Sequence, residues 1–482
     1  MDCTVKIYPQ GKQLRVLAKT NLLDALRSGG FSVAAPCGGK GTCGKCRVTV
    51  DGVLTQACNY TIDHDITVIL HAAGNDKILM SGTMEHRNSD PAAPGNLVAV
   101  DIGTTTVVCS LMDSSGKELA VKSMANPQSA WGADVISRIQ HAQKGHGSAL
   151  TKVIRSGLQE LLQECCAAAE TAPEDIGVIS IVGNSCMQQL FLGMEVANLA
   201  AAPFAPAIRK AEMVPALPYF PGCPKAKMLI LPDIAGFVGA DTLACILAAG
   251  LQETKDTVLL VDIGTNGELV LAHDGKLSAC STAAGPALEG GNISCGMRAS
   301  SGAIDRVWAG GYSVIDGGEA NGICGSGLVD SAAMMLEEEI INFRGRIQTS
   351  DHTYRVAQGV TLTQDDIRQL QMAKGAIAAG IQLLTEHRGL SLDQIDRVIL
   401  AGAFGSFLNI TNACRIGLLP SELQSRIVAA GNIALSGARA LAMDKKLLPL
   451  AQAIAENTEA VELAVLPEFA MTFAENMLFM EA

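Results

Sequence analysis

The phrase Asp-Ile-Gly-Thr occurs twice in this 482-residue chain, at Asp101–Thr104 and at Asp262–Thr265, and the repetition limits the folds open to most of it. Each copy follows a short apolar run, Leu97-Val-Ala-Val100 or Leu259-Leu-Val261. Each is succeeded by a second run, Val107-Val-Cys-Ser-Leu111 or Glu268-Leu-Val-Leu271, and then by a turn, Ser115-Gly116-Lys117 or Asp274-Gly275-Lys276. Such runs bounded by Gly, Asp and Ser read as strands. A strand–tip–strand–turn unit repeated at an offset of 161 residues predicts a duplicated, two-lobed α/β fold, with lobes over 96–250 and 251–482, the second carrying a C-terminal extension.

The tips also carry chemistry. A Gly-Thr turn offers N–H groups and hydroxyls to phosphate oxygens, and a strand-end carboxylate can hold Mg²⁺ directly or through water. Asp101 and Asp262 are therefore candidate catalytic carboxylates, and Gly103, Thr104, Thr105, Gly264, Thr265 and Asn266 candidate nucleotide-binding residues. A third phrase begins with the predicted strand Val398–Leu400 and runs into Ala401-Gly402-Ala403-Phe404-Gly405, whose small residues let the backbone approach a flat ligand. Gly402, Ala403, Phe404 and Gly405 join the binding candidates, as do Gly285 and Gly325 from glycine-rich turns entering helices. Asp134 opens the helical pattern Val135–Arg138; it reads either as a helix cap or as a third cleft carboxylate. Gly183-Asn184-Ser185 leads into a helix at Met187–Leu192, whose amides could face the cleft. After Phe404 the pattern predicts helices and a single strand, Val461–Leu466.

Ahead of the repeat lies a cysteine loop, C-x5-C-x2-C-x11-C, comprising Cys37, Cys43, Cys46 and Cys58, with four glycines between the first and third. Four thiolates can hold two irons or one zinc. Zinc knuckles usually pair their ligands as two Cys-x2-Cys units, and only Cys43 and Cys46 form one here. The spacing is one residue longer in its first gap than the plant-type iron–sulfur pattern, and the glycines suit backbone approach to sulfur. An iron–sulfur cluster is the preferred reading, with zinc and unligated thiols as the alternatives. Around the loop, residues 3–8 and 13–17 predict a hairpin, Asn21 a cap for a helix at Leu22–Arg27, and Cys46–Val50 and Ile66–Leu70 further strands, a small mixed β domain over 1–80. Residues 81–95, polar and punctuated by Pro and Gly, predict a linker.

A net charge of −12 argues against a general nucleic-acid binder. No apolar run reaches transmembrane length, so no membrane partner is expected. The start, Met1-Asp2-Cys3-Thr4, lacks a basic segment and an apolar core, which with fifteen cysteines in a large chain favours a reducing, cytoplasmic setting over a disulfide scaffold. The eight histidines show no ligand spacing for a hydrolytic zinc site.

The first 75 residues resemble a β-grasp 2Fe–2S ferredoxin domain, and the three glycine phrases resemble the phosphate-1, phosphate-2 and adenosine motifs of the actin-like (ASKHA, ribonuclease H-like) ATPase superfamily. The order of the two is similar to that in reductive activators of corrinoid-dependent enzymes. That resemblance covers nearly the whole chain, including Gly132–Arg138, Gly285-Pro-Ala-Leu-Glu289 and Gly322–Leu328. It implies ATP and Mg²⁺ as cofactors beside the cluster. It also implies the corrinoid protein of a methyltransferase system as partner, an upstream low-potential electron donor, and return of Co(II) corrinoid to Co(I) by one electron; a homodimer is compatible with it. A plant-type cluster sits near about −400 mV, Co(I) is a stronger reductant, and each 59 mV uphill costs about 1.4 kcal/mol for one electron, so coupling to ATP makes physical sense. The chain departs from the longer members of the family in having only the short 81–95 segment where they insert an additional domain, and in carrying Gln188 and Gln189 where histidines are common. Two other classes fit parts of the pattern: an ATP-dependent activator of a radical dehydratase, and a metabolite kinase with a redox-sensing domain and Asp134 or Asp233 as base.

Overall fold

The computed structural model describes residues 2–8, 12–28, 31, 33, 46–70, 90–132, 134–405 and 407–480. Cys37, Cys43 and most of the expected linker lie outside these residues. The first sheet is built from β1 (Asp2–Tyr8), β2 (Lys12–Leu17), β3 (Arg47–Val50), β4 (Val53–Gln56) and β5 (Ile66–Ile69), in the order β2-β1-β5-β3-β4. Only β1 and β5 run parallel. Strict alternation sends Val5, Ile7, Val48, Val50 and Val68 into a core closed by Leu22, Leu23 and Leu26 of α1 (Leu22–Ser28). Asn21 caps that helix, its Oδ1 accepting from the Leu23 N–H at 3.0 Å.

The rest of the chain contains two sheets of one plan. In the first, β6 (Asn96–Ile102), β7 (Thr106–Met112), β8 (Glu118–Ala125), β9 (Ile176–Gly183), β10 (Glu212–Pro215) and β11 (Lys227–Ile230) take the order β8-β7-β6-β9-β11-β10. In the second, β12 (Val258–Ile263), β13 (Gly267–His273), β14 (Lys276–Thr282), β15 (Arg397–Ala401), β16 (Ile427–Gly431) and β17 (Thr458–Ala460) take the order β16-β15-β12-β13-β14-β17. Each has an antiparallel triplet continued by two strands parallel to its first, which is the expected duplication. The opening strands are buried on both faces, so they read as unbroken apolar runs.

Two helices, α5 (Ala240–Ala249) and α8 (Ile433–Met443), fill the space between the sheets, joining Leu97 and Val182 of one to Leu260 and Ile399 of the other. They cross so closely that a Cβ on Gly437 would sit 2.2 Å from the Ala244 carbonyl oxygen. This contact joins the two helices into one layer between the sheets.

The C-terminal part differs from expectation. Its strands are Ile427–Gly431 and Thr458–Ala460, while residues 463–465 form one 3₁₀ turn. Val461 and Leu463 alternate as in a strand because both drop into the core; the Val461 N–H still donates to the Ala279 carbonyl at 2.8 Å, where the pairing ends. Ile427-Val-Ala-Ala-Gly431 was illegible because alanine and glycine carry little strand signal. Residues 402–405, expected as an irregular turn, form a single helical turn. Among the described residues no helix is long and apolar enough to cross a membrane.

Candidate functional site

The ends of β6, β12 and β15 open onto one cleft of about 490 Å³. This is where open α/β sheets place ligands. Both Asp-Ile-Gly-Thr tips line it, and they touch: Thr105 Oγ1 lies 2.9 Å from Thr265 Oγ1. Both hydroxyls also donate to one carboxylate oxygen, Glu289 Oε2, at 2.7 Å for Thr105. Glu289 ends the 3₁₀ turn Pro286–Glu289, so the closure of the two hairpins is shared by a third element.

The first tip is held from behind. Asn126 donates from Nδ2 to the Gly103 carbonyl at 2.8 Å, and Asn184 from Nδ2 to Thr104 Oγ1 at 3.0 Å. Arg138 is fully buried; its Nη2 donates to the Thr104 carbonyl at 2.6 Å and its Nε to the Gly132 carbonyl at 3.0 Å. Arg138→Met strips both carbonyls of a charged donor. It is expected to cost about 2–3 kcal/mol, read as a lower denaturation midpoint, and to weaken nucleotide binding.

Carboxylates crowd the cleft floor. Burial raises Asp101 to about 6, opposed by the Asn432 Nδ2 donor at 2.8 Å. Burial, then the charge of Asp101, lifts Asp262 to about 7 and Asp241 to about 7. Glu268 is pushed well above the usual carboxylate range by burial and then by Asp241 and Asp262. Arg298 is the cation among the described lining residues. No three His, Cys, Asp or Glu side chains among the described residues are placed to ligate one ion unaided. A divalent ion here would need phosphate oxygens and water to complete its shell.

Glycines give the cleft its depth. Gly402 has φ +86°, and a Cβ there would lie 2.6 Å from Asp262 Oδ1. Gly402→Ala should cost about 1–2 kcal/mol in backbone strain and weaken nucleotide affinity at least about tenfold by calorimetry. A Cβ on Gly325 would stand 1.8 Å from the Leu288 carbonyl oxygen. That close approach seats α6 (Gly325–Glu337) against the turn bearing Glu289.

Of the residues expected from sequence, Asp101, Asp262, Gly103, Thr104, Thr105, Gly264, Thr265, Asn266, Gly325, Gly402 and Phe404 line the cleft. Gly285 and Gly405 belong to the turns around it without lining it, and Ala403 lies in the same helical turn as Gly402 and Phe404. Asp134 needs correcting as a catalytic candidate. It caps α2 (Val135–His141), and its two oxygens are taken by the Ser137 N–H at 2.8 Å and the Ser137 hydroxyl at 2.7 Å. Asp233 is buried with Oδ1 accepting from Gln188 Nε2 at 3.1 Å, and does not line the cleft either. Gln189 ties together Glu195, Asn198 and Ala207, so this glutamine pair is structural.

Sequence reasoning missed Asp241, Glu268, Glu289 and Asn432 as site residues. Glu268 left a trace, a charge inside an otherwise apolar strand; Asn432 left none.

The second site is at the N-terminal sheet. Cys46 enters β3 fully buried, and Cys58 is half-buried in the turn Ala57–Asn59. The Cys58 N–H points at Cys46 Sγ, 3.4 Å away, the amide-to-sulfur contact that suits a ligating thiolate. The Cys58 carbonyl is fixed by Asn21 Nδ2 at 2.8 Å. These two residues fit a cluster site. Most other described cysteines are packed thiols: burial lifts Cys186 to about 12, and Cys324 donates to the Ile304 carbonyl.

Fold and cleft define a two-lobed, actin-like ATPase-fold protein with an N-terminal ferredoxin-type domain. Models of three families match in series: a 2Fe–2S iron–sulfur cluster binding domain over 5–66, the middle region of RACo over 97–254, and the C-terminal ASKHA domain of RACo over 256–482. The chain is 36% identical over 416 residues to the corrinoid activation enzyme RamQ of Eubacterium limosum, covering 79% of this chain and 70% of that protein. It is 26% identical over 392 residues to the Co(II) methylated amine-specific corrinoid protein reductase of Methanosarcina barkeri, with 73% and 70% covered. The solved structure of a reductive activator for corrinoid, iron–sulfur protein superposes with a TM-score of 0.77 at 28% identity, over 99% of this chain and 98% of that one. The chain belongs to the family of reductive activators of corrinoid-dependent enzymes.

Proposed function

We propose that this protein is an ATP-dependent reductive activator that returns a Co(II) corrinoid protein to Co(I) by one electron. The observation that carries the reading is the joining, in one chain, of two touching Asp-Ile-Gly-Thr tips with a sheet that presents Cys46 and Cys58 side by side. In this proposal residues 1–80 form the electron-carrying domain, 81–95 the linker, and 96–250 and 251–482 the two lobes.

Cys37, Cys43, Cys46 and Cys58 would hold a 2Fe–2S cluster, which supplies one-electron carriage when bound. The Cys58 amide withdraws charge from the Cys46 sulfur, which favours the electron-rich state. At the cleft, Gly103–Thr105 and Gly264–Asn266 would cradle the phosphates of ATP, with Phe404 and Gly402 at its adenosine end. Asp101, Asp241 and Asp262 would hold Mg²⁺ through water, since carboxylates that raise one another's pKa favour a cation once ionised. Thr105 and Thr265 sit on opposite lobes and share Glu289 as acceptor, so hydroxyls released from Glu289 would be able to donate to nucleotide phosphate and couple its binding to the lobe angle. Lobe closure changes the surface offered to the corrinoid protein, which is how binding energy can lower the cost of reducing cobalt. Neither Asp134 nor Asp233, the candidate bases of a kinase, lines the cleft: Asp134 caps α2 and Asp233 is buried beside Gln188.

The test combines the reconstituted protein, dithionite, Mg-ATP and a Co(II) corrinoid protein, and follows Co(I) absorbance. ATP-dependent Co(I) formation is expected. Phosphorylation of a small metabolite, with no Co(I) from any corrinoid partner, overturns the reading.

A further inference from the structure

The two Gly-Thr tips already hold an anion, and it belongs to the protein. Thr105 Oγ1 and Thr265 Oγ1 stand 2.9 Å apart, and both donate to the same oxygen, Glu289 Oε2, which lies 2.7 Å from Thr105. The three oxygens form one small triangle where the lobes meet. A hydroxyl has one proton to give, so neither threonine can donate to a nucleotide while it donates to Glu289.

Glu289 reaches that triangle from a stiff support. It is the last residue of the turn Pro286–Glu289, which the Gly291 N–H closes onto the Pro286 carbonyl at 2.8 Å. Leu288 beside it is buried against Gly325. Gly290 follows with φ +80°, and a Cβ on it would meet the Met297 carbonyl oxygen at 2.2 Å. The Glu289 side chain is half-buried and lines the cleft together with Asp101, Asp241, Asp262 and Glu268. A fifth carboxylate in so acidic a cleft is repelled by its neighbours, and two charge-assisted hydrogen bonds oppose that repulsion.

We propose that Glu289 is a stand-in for the terminal phosphoryl group of a nucleoside triphosphate, and that the site senses that group by exchanging one anion for the other. The proposal deepens the nucleotide reading above and rests on it. The triangle has room for one acceptor oxygen between the two hydroxyls, so Glu289 and a phosphoryl oxygen compete for it. A triphosphate extends one phosphoryl group beyond a diphosphate, and in this proposal that group alone reaches the triangle. A diphosphate leaves Glu289 in place. The empty and the diphosphate-bound protein then share one latched state, and the triphosphate-bound protein has another. The latch lowers the apparent triphosphate affinity by the fraction of molecules in which it is closed, and removal of the carboxylate lifts that penalty. A carboxylate that instead helped to hold Mg²⁺ would act in the opposite sense, since its loss would weaken the nucleotide complex.

The experiment titrates the wild-type protein, Glu289→Ala and Glu289→Gln with Mg-ADP and with the magnesium complex of a non-hydrolysable ATP analogue, by calorimetry. Thermal unfolding reports that each variant is folded. Glu289→Ala should bind the triphosphate analogue at least about tenfold more tightly than wild type, and ADP within about threefold. Glu289→Gln keeps an acceptor oxygen without its charge; it should shift the same way by a smaller factor, and it carries the test if the alanine variant does not fold. Weaker binding of the triphosphate analogue makes Glu289 a metal or water ligand and overturns the proposal. Equal tightening for both nucleotides reduces Glu289 to a general repulsion and also overturns it, as does no change for either. A wild-type protein that binds neither nucleotide instead removes the nucleotide reading itself.

Discussion

Cys46→Ser is expected to abolish Co(I) formation, by at least about 100-fold, while nucleotide affinity stays within about twofold of wild type. Cys46 has no solvent exposure, and its sulfur accepts the Cys58 amide at 3.4 Å. A serine oxygen is a harder ligand held closer to its own backbone, and it loses the soft thiolate that iron–sulfur centres need. The lobes should not register the change. Their cores are made by residues 97–479 and share no member with the core of the first sheet, which ends at Leu70. Iron content and visible absorption, Co(I) absorbance, and calorimetric titration with an ATP analogue measure the three consequences separately. Loss of nucleotide binding together with the cluster would mean that Cys46 serves folding of the whole chain, and the division into carrier and ATPase would fall.

That division was legible from sequence because both halves use patterns with strong local rules. The hairpins around Gly103 and Gly264 alternate between strand runs and turn residues, and their repetition at a constant offset set the lobe plan before any contact was known. The cleft carboxylates were legible only where they sat inside the repeated phrase. Asp241 lies in the first turn of α5, where a carboxylate reads as an ordinary helix-start residue. Glu289 acquires its role from Thr105, 184 residues away, and Asn432 from Asp101, 331 residues away. Such pairs leave no periodicity in a single chain. Asp134 is the opposite case: of its two readings, helix cap or cleft carboxylate, the local rule of capping is the one its bonds to Ser137 show, and it does not line the cleft.

Asp262→Asn is expected to separate stability from activity: the nucleotide-free protein becomes more stable above pH 7, and ATP hydrolysis falls at least about 100-fold. In the folded protein Asp262 holds its proton to about 7, raised by burial and then by the charge of Asp101. In the unfolded chain it gives the proton up near its ordinary value of 3.8. Between those limits the folded state binds more protons than the unfolded one, so stability falls as pH rises from about 4 to about 7 and does not recover above that. Asparagine carries no charge to bury, so the advantage of the variant should be absent near pH 4 and grow across that window. Each tenfold gain in proton affinity on folding corresponds to about 1.4 kcal/mol at most, and because the group lines an open cleft, water screens part of it. A gain of about 1–2 kcal/mol at pH 8 is the expected scale, a few degrees in the midpoint of the lobes' unfolding transition. On the proposed reading the same deletion removes a charge that would hold Mg²⁺ against the phosphates, so Mg-ATP should stabilise the wild-type lobes much more than the variant's. Wild-type protein should also release protons on binding Mg-ATP at pH 6–7, as the cation displaces them from Asp101, Asp241 and Asp262. Calorimetry in buffers of different ionisation enthalpy counts those protons. A stability difference independent of pH, or hydrolysis within about threefold of wild type, would show that Asp262 is neither charged against its neighbours nor part of the nucleotide site.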